Sequence, residues 1–146
     1  MNILIVDDNA DFCSTLSDIV SSRGWLPTSL HTPEEAMRYV DDHHSSLSAV
    51  LLDIEFDHRS ALNGLDVLAH CAKKFPALPV IMISGKGTIE TAVRATKLGA
   101  VNFIEKSTLS PEHLLDVVSS AAERFRSSLQ KSELLRTIEE HGILGS

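Results

Sequence analysis

Four short apolar runs recur along the chain, and each is followed by residues suited to phosphoryl chemistry. The runs cover residues 3–6, 49–52, 80–83 and 101–105, and the residues after them are Asp7 and Asp8, Asp53, Ser84, and Lys106. Short apolar runs that alternate with helical segments are typical of parallel β-strands. Because active crevices of open parallel sheets lie just beyond the carboxyl ends of the strands, we expect three carboxylates, a hydroxyl and an ammonium to meet at one edge.

The segments between these runs carry helix start and stop signals. Apolar spacing and capping residues predict five helices, over residues 10–23, 33–43, 64–74, 88–98 and from 110 onwards. Thr32 followed by Pro33, for example, is a typical helix start. Residues 25–31 read as a weaker second strand, in which Pro27 favours the start of a strand or the edge of a sheet. The pattern predicts an α/β fold, a (βα)5 doubly wound five-stranded parallel sheet.

The fifth helix is longer than such a sheet requires. Its helical composition continues beyond Phe125 through a further set of apolar residues, Leu129, Leu134, Leu135 and Ile138. We therefore expect two parts, a domain over residues 1–126 and a C-terminal linker helix over residues 127–146 that includes the start of a possible truncated output domain. The linker is interpreted as a helix that pairs with the same helix of a second subunit, and the alternative is a frayed, solvated tail.

Composition narrows the functional classes. A chain of 146 residues with 43% hydrophobic residues is long enough to form one domain with its own core. A net charge of −7 disfavours direct nucleic-acid binding by this segment. No apolar run approaches the ~18 residues of a membrane span and no signal peptide is apparent, so we expect no membrane association. Cys13 and Cys71 have no paired spacing, which favours reduced thiols in a cytoplasmic protein.

The motifs at the strand ends resemble the receiver domain of two-component response regulators over roughly residues 1–126. The resemblance rests on the acidic pair after the first strand, on Leu-Leu-Asp53, on Met-Ile-Ser84-Gly85, and on the segment from Gly99 to Lys106. The segment 84–92 is most similar to receivers of the NtrC/NtrX kind, which precede an ATPase that remodels the alternative-sigma-factor polymerase. Residues 142–146 are similar to the lead-in to that ATPase, although a terminal Gly-Ser is equally typical of a cloning remnant.

This resemblance implies a flavodoxin-like receiver fold and a set of partners. The expected phosphoryl donor is a sensor histidine kinase or a phosphotransfer protein, and the expected response is a changed conformation and association that controls transcription. A homodimer is implied, with ATPase and DNA-binding domains in the full-length protein. The segment itself is expected to be a signalling phosphoacceptor and not an enzyme, apart from Mg²⁺-dependent self-phosphorylation from phosphodonors and self-dephosphorylation.

The chemistry of the candidate site follows from the residue types. A carboxylate can accept a phosphoryl group when the charge on that group is neutralised and the attack is in line, which makes Asp53 the expected phosphoacceptor. Mg²⁺ prefers hard oxygen ligands, which Asp7, Asp8 and Asp53 supply. Lys106 is expected to pair with one phosphoryl oxygen, and the Ser84 hydroxyl to donate to another. Each residue alone would be an ordinary turn or strand-end residue, and only the joint pattern indicates a site.

Two further roles come from the resemblance alone. It makes the backbone carbonyl of Glu55 a metal ligand, and it makes Phe103 a switch residue that moves inward when Ser84 turns toward the phosphoryl group. By residue type, Phe103 is a core aromatic, so both interpretations stand. The Glu55 side chain either contests the position of the hydrolytic water or faces solvent.

The sequence departs from the family pattern after Lys106 and after Asp53. Ser107 stands where the family usually has a cis-proline, and because a cis bond without proline costs ~2.5–4 kcal/mol, a trans bond is predicted. Residues 56–62 form an enlarged loop beside the site. One alternative function is therefore a phosphorylation-independent receiver-like interaction module. A phosphatase with an aspartate nucleophile is disfavoured because residues 53–57 lack the pattern Asp-x-Asp-x-Thr.

Overall fold

A computed structural model describes residues 1–56 and 61–124 of the chain. Its five strands are β1 (Asn2–Val6), β2 (Leu26–Leu30), β3 (Ala49–Asp53), β4 (Val80–Ser84) and β5 (Asn102–Glu105). They form one sheet in the order β2-β1-β3-β4-β5, and every pairing is parallel. The helices are α1 (Ala10–Ser21), α2 (Pro33–His43), α3 (Gly64–Lys74), α4 (Ile89–Leu98) and α5 (111–124). The predicted doubly wound (βα)5 sheet is confirmed.

Side-chain caps define where the helices begin and therefore shape the loops at the carboxyl edge of the sheet. The capping side chains accept hydrogen bonds from backbone N–H groups of the first turn, and for α1 to α4 they are Asn9, Thr32, Asn63 and Thr88. These bonds satisfy donors that the first turn of a helix leaves unpaired. Helix α4 ends at Leu98 and is followed by the capping residue Gly99, whose φ of +116° lies in the left-handed region that glycine adopts without strain.

The core has two halves, one on each face of the sheet. Alternate side chains of β1 point to opposite faces, so that Leu4 and Val6 lie in one cluster while Ile3 and Ile5 lie in the other. Every residue of β3 and of β4 is buried because helices cover both faces of the central strands. β2 is the edge strand that Pro27 predicted, and its first residue, Leu26, is 67% exposed.

Three further predictions can be compared with the structure. The peptide bond between Lys106 and Ser107 is trans, as expected. Cys13 and Cys71 are buried free thiols. Within residues 1–56 and 61–124, no helix is both long and apolar enough to cross a membrane. The linker helix and the boundary at residue 126 lie outside the described residues, as do residues 57–60 of the enlarged loop.

Candidate functional site

The predicted acidic residues meet where the strand order changes direction. Asp7 follows β1 and Asp53 ends β3, and these two strands are neighbours in the sheet. The chain leaves β1 toward α1 on one face and leaves β3 toward α3 on the other, which opens a crevice between the two strand ends. One carboxylate oxygen from each of Asp7, Asp8 and Asp53 lies within 4.8 Å of the other two. The acidic cluster that the sequence predicted is therefore assembled.

Asp53 is a buried carboxylate whose ionised form is disfavoured by its surroundings. Its side chain is 4% exposed, and burial, followed by the charge of Asp7, raises the pKa of Asp53 to about 7. The charge of Lys106 and a hydrogen bond from the backbone N–H of Glu55 act in the opposite direction. Because the cost of the ionised form remains larger than these gains, the crevice favours a further cation beside Asp53.

Lys106 lies inside this crevice and contacts two of the acids. Its Nζ is 2.7 Å from Oδ2 of Asp7 and 3.7 Å from Oδ1 of Asp53, and it lies 4.5 Å from the centre of the Phe12 ring. Burial opposes the charged ammonium, but the hydrogen bond to Asp7 and the charges of Asp53 and Asp8 outweigh it and raise the pKa of Lys106. The trans bond after Lys106 thus still allows the ammonium to reach the acids.

The oxygens present fit a hard divalent cation. Oδ1 of Asp7 accepts the backbone N–H of Asn9 at 2.9 Å. Oδ2 of Asp7 is fully buried and, apart from the Lys106 ammonium, has no donor in the part of the chain that the structure describes. A buried carboxylate oxygen whose one donor among the described residues is an ammonium, together with two further carboxylates, supplies the hard oxygen ligands that Mg²⁺ prefers. The exposed side chain of Glu55 takes no part in this cluster, so only its backbone carbonyl remains as the predicted fourth ligand.

Ser84 and Phe103 lie on the neighbouring strands β4 and β5. Ser84 is 1% exposed, and its Oγ accepts the backbone N–H of Lys86 at 3.3 Å. Phe103 is half-buried and packs against the core cluster on its side of the sheet. A Cβ atom added to Gly87 would lie 2.9 Å from the Phe103 ring, so the ring rests directly on the β4–α4 loop. The core interpretation of Phe103 is supported, and its movement remains a prediction.

Two residues beside the site were not identified from the sequence. Gly64 begins α3 directly behind the acidic edge, where a Cβ atom would overlap the carbonyl oxygen of Asp53 and lie 2.7 Å from Cα of Ile54. A glycine directly after a capping asparagine, Asn63, was the available signal. Phe12 lies under the Lys106 ammonium, and no sequence pattern connects these two residues.

The comparisons with known proteins agree with this geometry. The family model described as a response regulator receiver domain matches residues 3–119. A putative NtrX-like response regulator of Rickettsia bellii is 40% identical over 106 residues, which are 73% of this chain and 22% of that protein. The nitrogen assimilation regulatory protein NtrX of Azorhizobium caulinodans is 33% identical over 144 residues, 99% of this chain and 31% of that protein.

A solved structure extends the similarity to three dimensions. The crystal structure of NtrX from Brucella abortus in complex with ADP has a TM-score of 0.82 and 36% sequence identity, and the match covers 91% of this chain and 29% of that chain. The chain thus spans less than a third of the length of these relatives. Since the family model covers well over half of the sequence and the acidic crevice is assembled, the chain belongs to the response regulator receiver domain family, as a receiver of the NtrX/NtrC type.

Proposed function

We propose that Asp53 accepts a phosphoryl group from the phosphohistidine of a sensor histidine kinase or of a phosphotransfer protein. The observation that carries this proposal is the position of the Asp53 carboxylate, which is buried beside two other carboxylates and lies 3.7 Å from the Lys106 ammonium. A nucleophile with a divalent cation and an ammonium beside it is what phosphoryl transfer to a carboxylate requires, because both cations neutralise the charge of the transferred group.

The transfer itself is one exchange of bonds. An oxygen of Asp53 forms a bond to phosphorus while the bond from phosphorus to the histidine nitrogen breaks, and that nitrogen keeps the bonding electron pair. Lys106 would pair with one of the phosphoryl oxygens, and the Ser84 hydroxyl would donate a hydrogen bond to another. Since the pKa of Asp53 is raised to about 7 without a metal, cations beside it would also keep the nucleophile ionised at neutral pH.

The residues that would hold Mg²⁺ are Asp7, Asp8 and Asp53, together with the backbone carbonyl of Glu55. When bound, this ion would neutralise phosphoryl oxygens and orient them for in-line attack. The three carboxylates support the assignment by their proximity. The Glu55 carbonyl rests on the family resemblance.

The new charge on Asp53 would act on a surface formed around α4, β5 and α5. Ser84 would turn from the N–H of Lys86 toward the phosphoryl group, and Phe103 would follow inward. This surface carries exposed apolar side chains, since Ile89 is 86% and Val93 46% exposed. Exposed apolar side chains are typical of contact surfaces, which supports a homodimer as the associated state.

The wider setting is proposed from the relatives. Because the relatives are more than three times as long as the matched region, we expect ATPase and DNA-binding domains in a full-length protein, with the segment 127–146 as the linker. The segment itself would serve as a phosphoacceptor, without enzymatic turnover beyond self-phosphorylation and self-dephosphorylation. A cytoplasmic location and the absence of direct nucleic-acid contact by this segment stay predictions.

Intact-mass measurement tests the central step. The native chain is incubated with Mg²⁺ and acetyl phosphate beside Asp53→Asn and a matched control, Asp18→Asn, which removes an exposed acid on α1. We expect one phosphoryl adduct on the native chain and the control, and none on Asp53→Asn. Absence of an adduct on the native chain would contradict phosphoacceptance and would favour the phosphorylation-independent interaction module.

A further inference from the structure

The backbone of Asp7 is held by hydrogen bonds on both of its polar groups. Its N–H donates to the carbonyl of Leu30 at 3.1 Å, which is the last backbone hydrogen bond between the β1 and β2 segments. At His31, the residue that follows β2, a side chain takes the place of the backbone as hydrogen-bond partner. Nδ1 of His31 lies 2.9 Å from the carbonyl oxygen of Asp7. The thiol of Cys13 donates to the same oxygen at 3.3 Å.

The chemistry of these contacts fixes the roles of the two side chains. A backbone carbonyl can only accept, so Nδ1 of His31 must carry a proton. A carbonyl oxygen has two lone pairs, and the His31 and Cys13 donors occupy both of them. Their convergence on one atom also accounts for the 3.9 Å distance between the Cys13 sulfur and Nδ1 of His31.

The carbonyl that they hold belongs to the peptide unit between two proposed metal ligands. A peptide unit is planar, so a fixed carbonyl of Asp7 also fixes the direction of the N–H and Cα of Asp8. The carboxylates of both residues, with that of Asp53, form the acidic cluster. A rotation of this peptide unit would move the two carboxylates relative to each other and to Asp53.

We propose that His31 is a positioning residue for the cation site, acting through its hydrogen bond to the carbonyl of Asp7, with Cys13 as the second donor. The inference rests on the proposed Mg²⁺ site. It adds a residue outside that site, His31, whose hydrogen bond determines part of the affinity for Mg²⁺. Groups that orient metal ligands typically change metal affinity by about 10- to 100-fold when removed. Because the His31 side chain is exposed, its replacement leaves the packed core intact.

A calorimetric Mg²⁺ titration of four proteins tests this role: the native chain, His31→Leu, His31→Asn and the control His43→Leu. The amide nitrogen of asparagine occupies about the place of Nδ1 and can donate the same bond. The control removes an equivalent contact far from the site, because Nδ1 of His43 lies 3.1 Å from the carbonyl of Tyr39 on α2. We expect Mg²⁺ to bind about tenfold more weakly to His31→Leu, and with nearly native affinity to His31→Asn and the control.

Melting temperatures measured in EDTA separate positioning from general stability. The proposal would be supported by equally small decreases in the melting temperature of His31→Leu and His43→Leu, together with weaker Mg²⁺ binding in His31→Leu alone. Native affinity in His31→Leu, or no recovery in His31→Asn, would overturn it. Absence of Mg²⁺ binding to the native chain would instead remove the cation site itself, and the positioning role with it. Cys13→Ala compared with Cys13→Ser gives an independent check, since only serine keeps a donor, and equal Mg²⁺ affinities would remove Cys13 from the role.

Discussion

Replacement of Asp53 by asparagine should make the metal-free domain more stable. The substitution keeps the size and shape of the side chain but removes a charge that is 4% exposed and lies beside Asp7 and Asp8. Most single substitutions destabilise a protein or leave its stability unchanged. A gain in stability here would therefore identify the Asp53 carboxylate as a strained group that the fold retains for its chemistry.

The size of the effect follows from the shifted titration of Asp53. Burial first, and then the charge of Asp7, raise its pKa from 3.8 to about 7. Each pKa unit corresponds to about 1.4 kcal/mol, so the shift sets an upper bound of about 4 kcal/mol on the cost of the ionised group. Relaxation of the protein around the charge reduces this, and we expect about 2 kcal/mol, or roughly 6 °C in melting temperature.

The gain should depend on pH in a defined direction. Asp53 in the unfolded chain loses its proton near pH 3.8, whereas in the folded chain it loses it near pH 7. Between these values the folded state holds more protons, so the native chain loses stability as the pH rises. The penalty is complete above pH 7 and absent below pH 3.8, and the asparagine variant lacks it.

Urea unfolding in EDTA at several pH values provides the measurement. The free energy of unfolding of Asp53→Asn should exceed that of the native chain at about pH 8, and the two values should converge near pH 4. The control Asp18→Asn removes an exposed carboxylate and should stay within about 0.5 kcal/mol of the native chain. An asparagine variant that is no more stable than the native chain at about pH 8 would refute the reasoning about the buried charge.

Three further substitutions test the surroundings of the site. Gly64→Ala should lower the free energy of unfolding by more than about 3 kcal/mol, since its Cβ would overlap the backbone carbonyl oxygen of Asp53; equal urea midpoints would contradict the close approach. Lys106→Met should lower the free energy of unfolding in EDTA by about 2 kcal/mol, because the buried carboxylate of Asp7 loses its ammonium partner. The same variant should show a larger rise in melting temperature when Mg²⁺ is added, and an unchanged rise would show that the ammonium does not compete with Mg²⁺ for the carboxylates. Gly87→Ala should shift the ring resonances of Phe103 in NMR spectra, because the added Cβ lies 2.9 Å from that ring, and identical spectra would contradict the contact.

The sheet was predictable because its central strands are covered on both faces. Residues 3–6 and 80–83 therefore read as unbroken apolar runs of the length that a fully buried strand has. The edge strand β2 gave a weaker signal, because four of its five residues are only partly buried and its first residue is exposed. Pro27 still indicated an edge, since proline cannot donate to the ladder.

The members of the site could be predicted, but their pairing could not. Strand ends in a parallel sheet converge whatever their side chains are, so Asp7, Asp53 and Lys106 follow from the strand positions. The ammonium was expected near a phosphoryl oxygen, and in the structure it lies closer to Asp7 than to Asp53. That preference depends on side-chain conformations and on the buried Oδ2 of Asp7, which has no donor other than Lys106 among the described residues. His31 is 24 residues from Asp7, and no spacing rule connects them.

The charges in the crevice would link the proposed phosphoryl transfer to Asp53 with the proposed movement of Ser84. Three carboxylates against one ammonium leave a formal excess of two negative charges among these four groups, and a divalent cation brings the set to neutrality. A phosphorylated aspartate carries about two negative charges where the carboxylate carried one, so transfer adds one charge to a neutral set. A neutral hydroxyl would gain from turning toward such a charge, because a hydrogen bond to an ionised acceptor is stronger than one to a neutral acceptor. In the proposed movement the Ser84 hydroxyl would give up only a long hydrogen bond, in which its Oγ accepts the N–H of Lys86 at 3.3 Å.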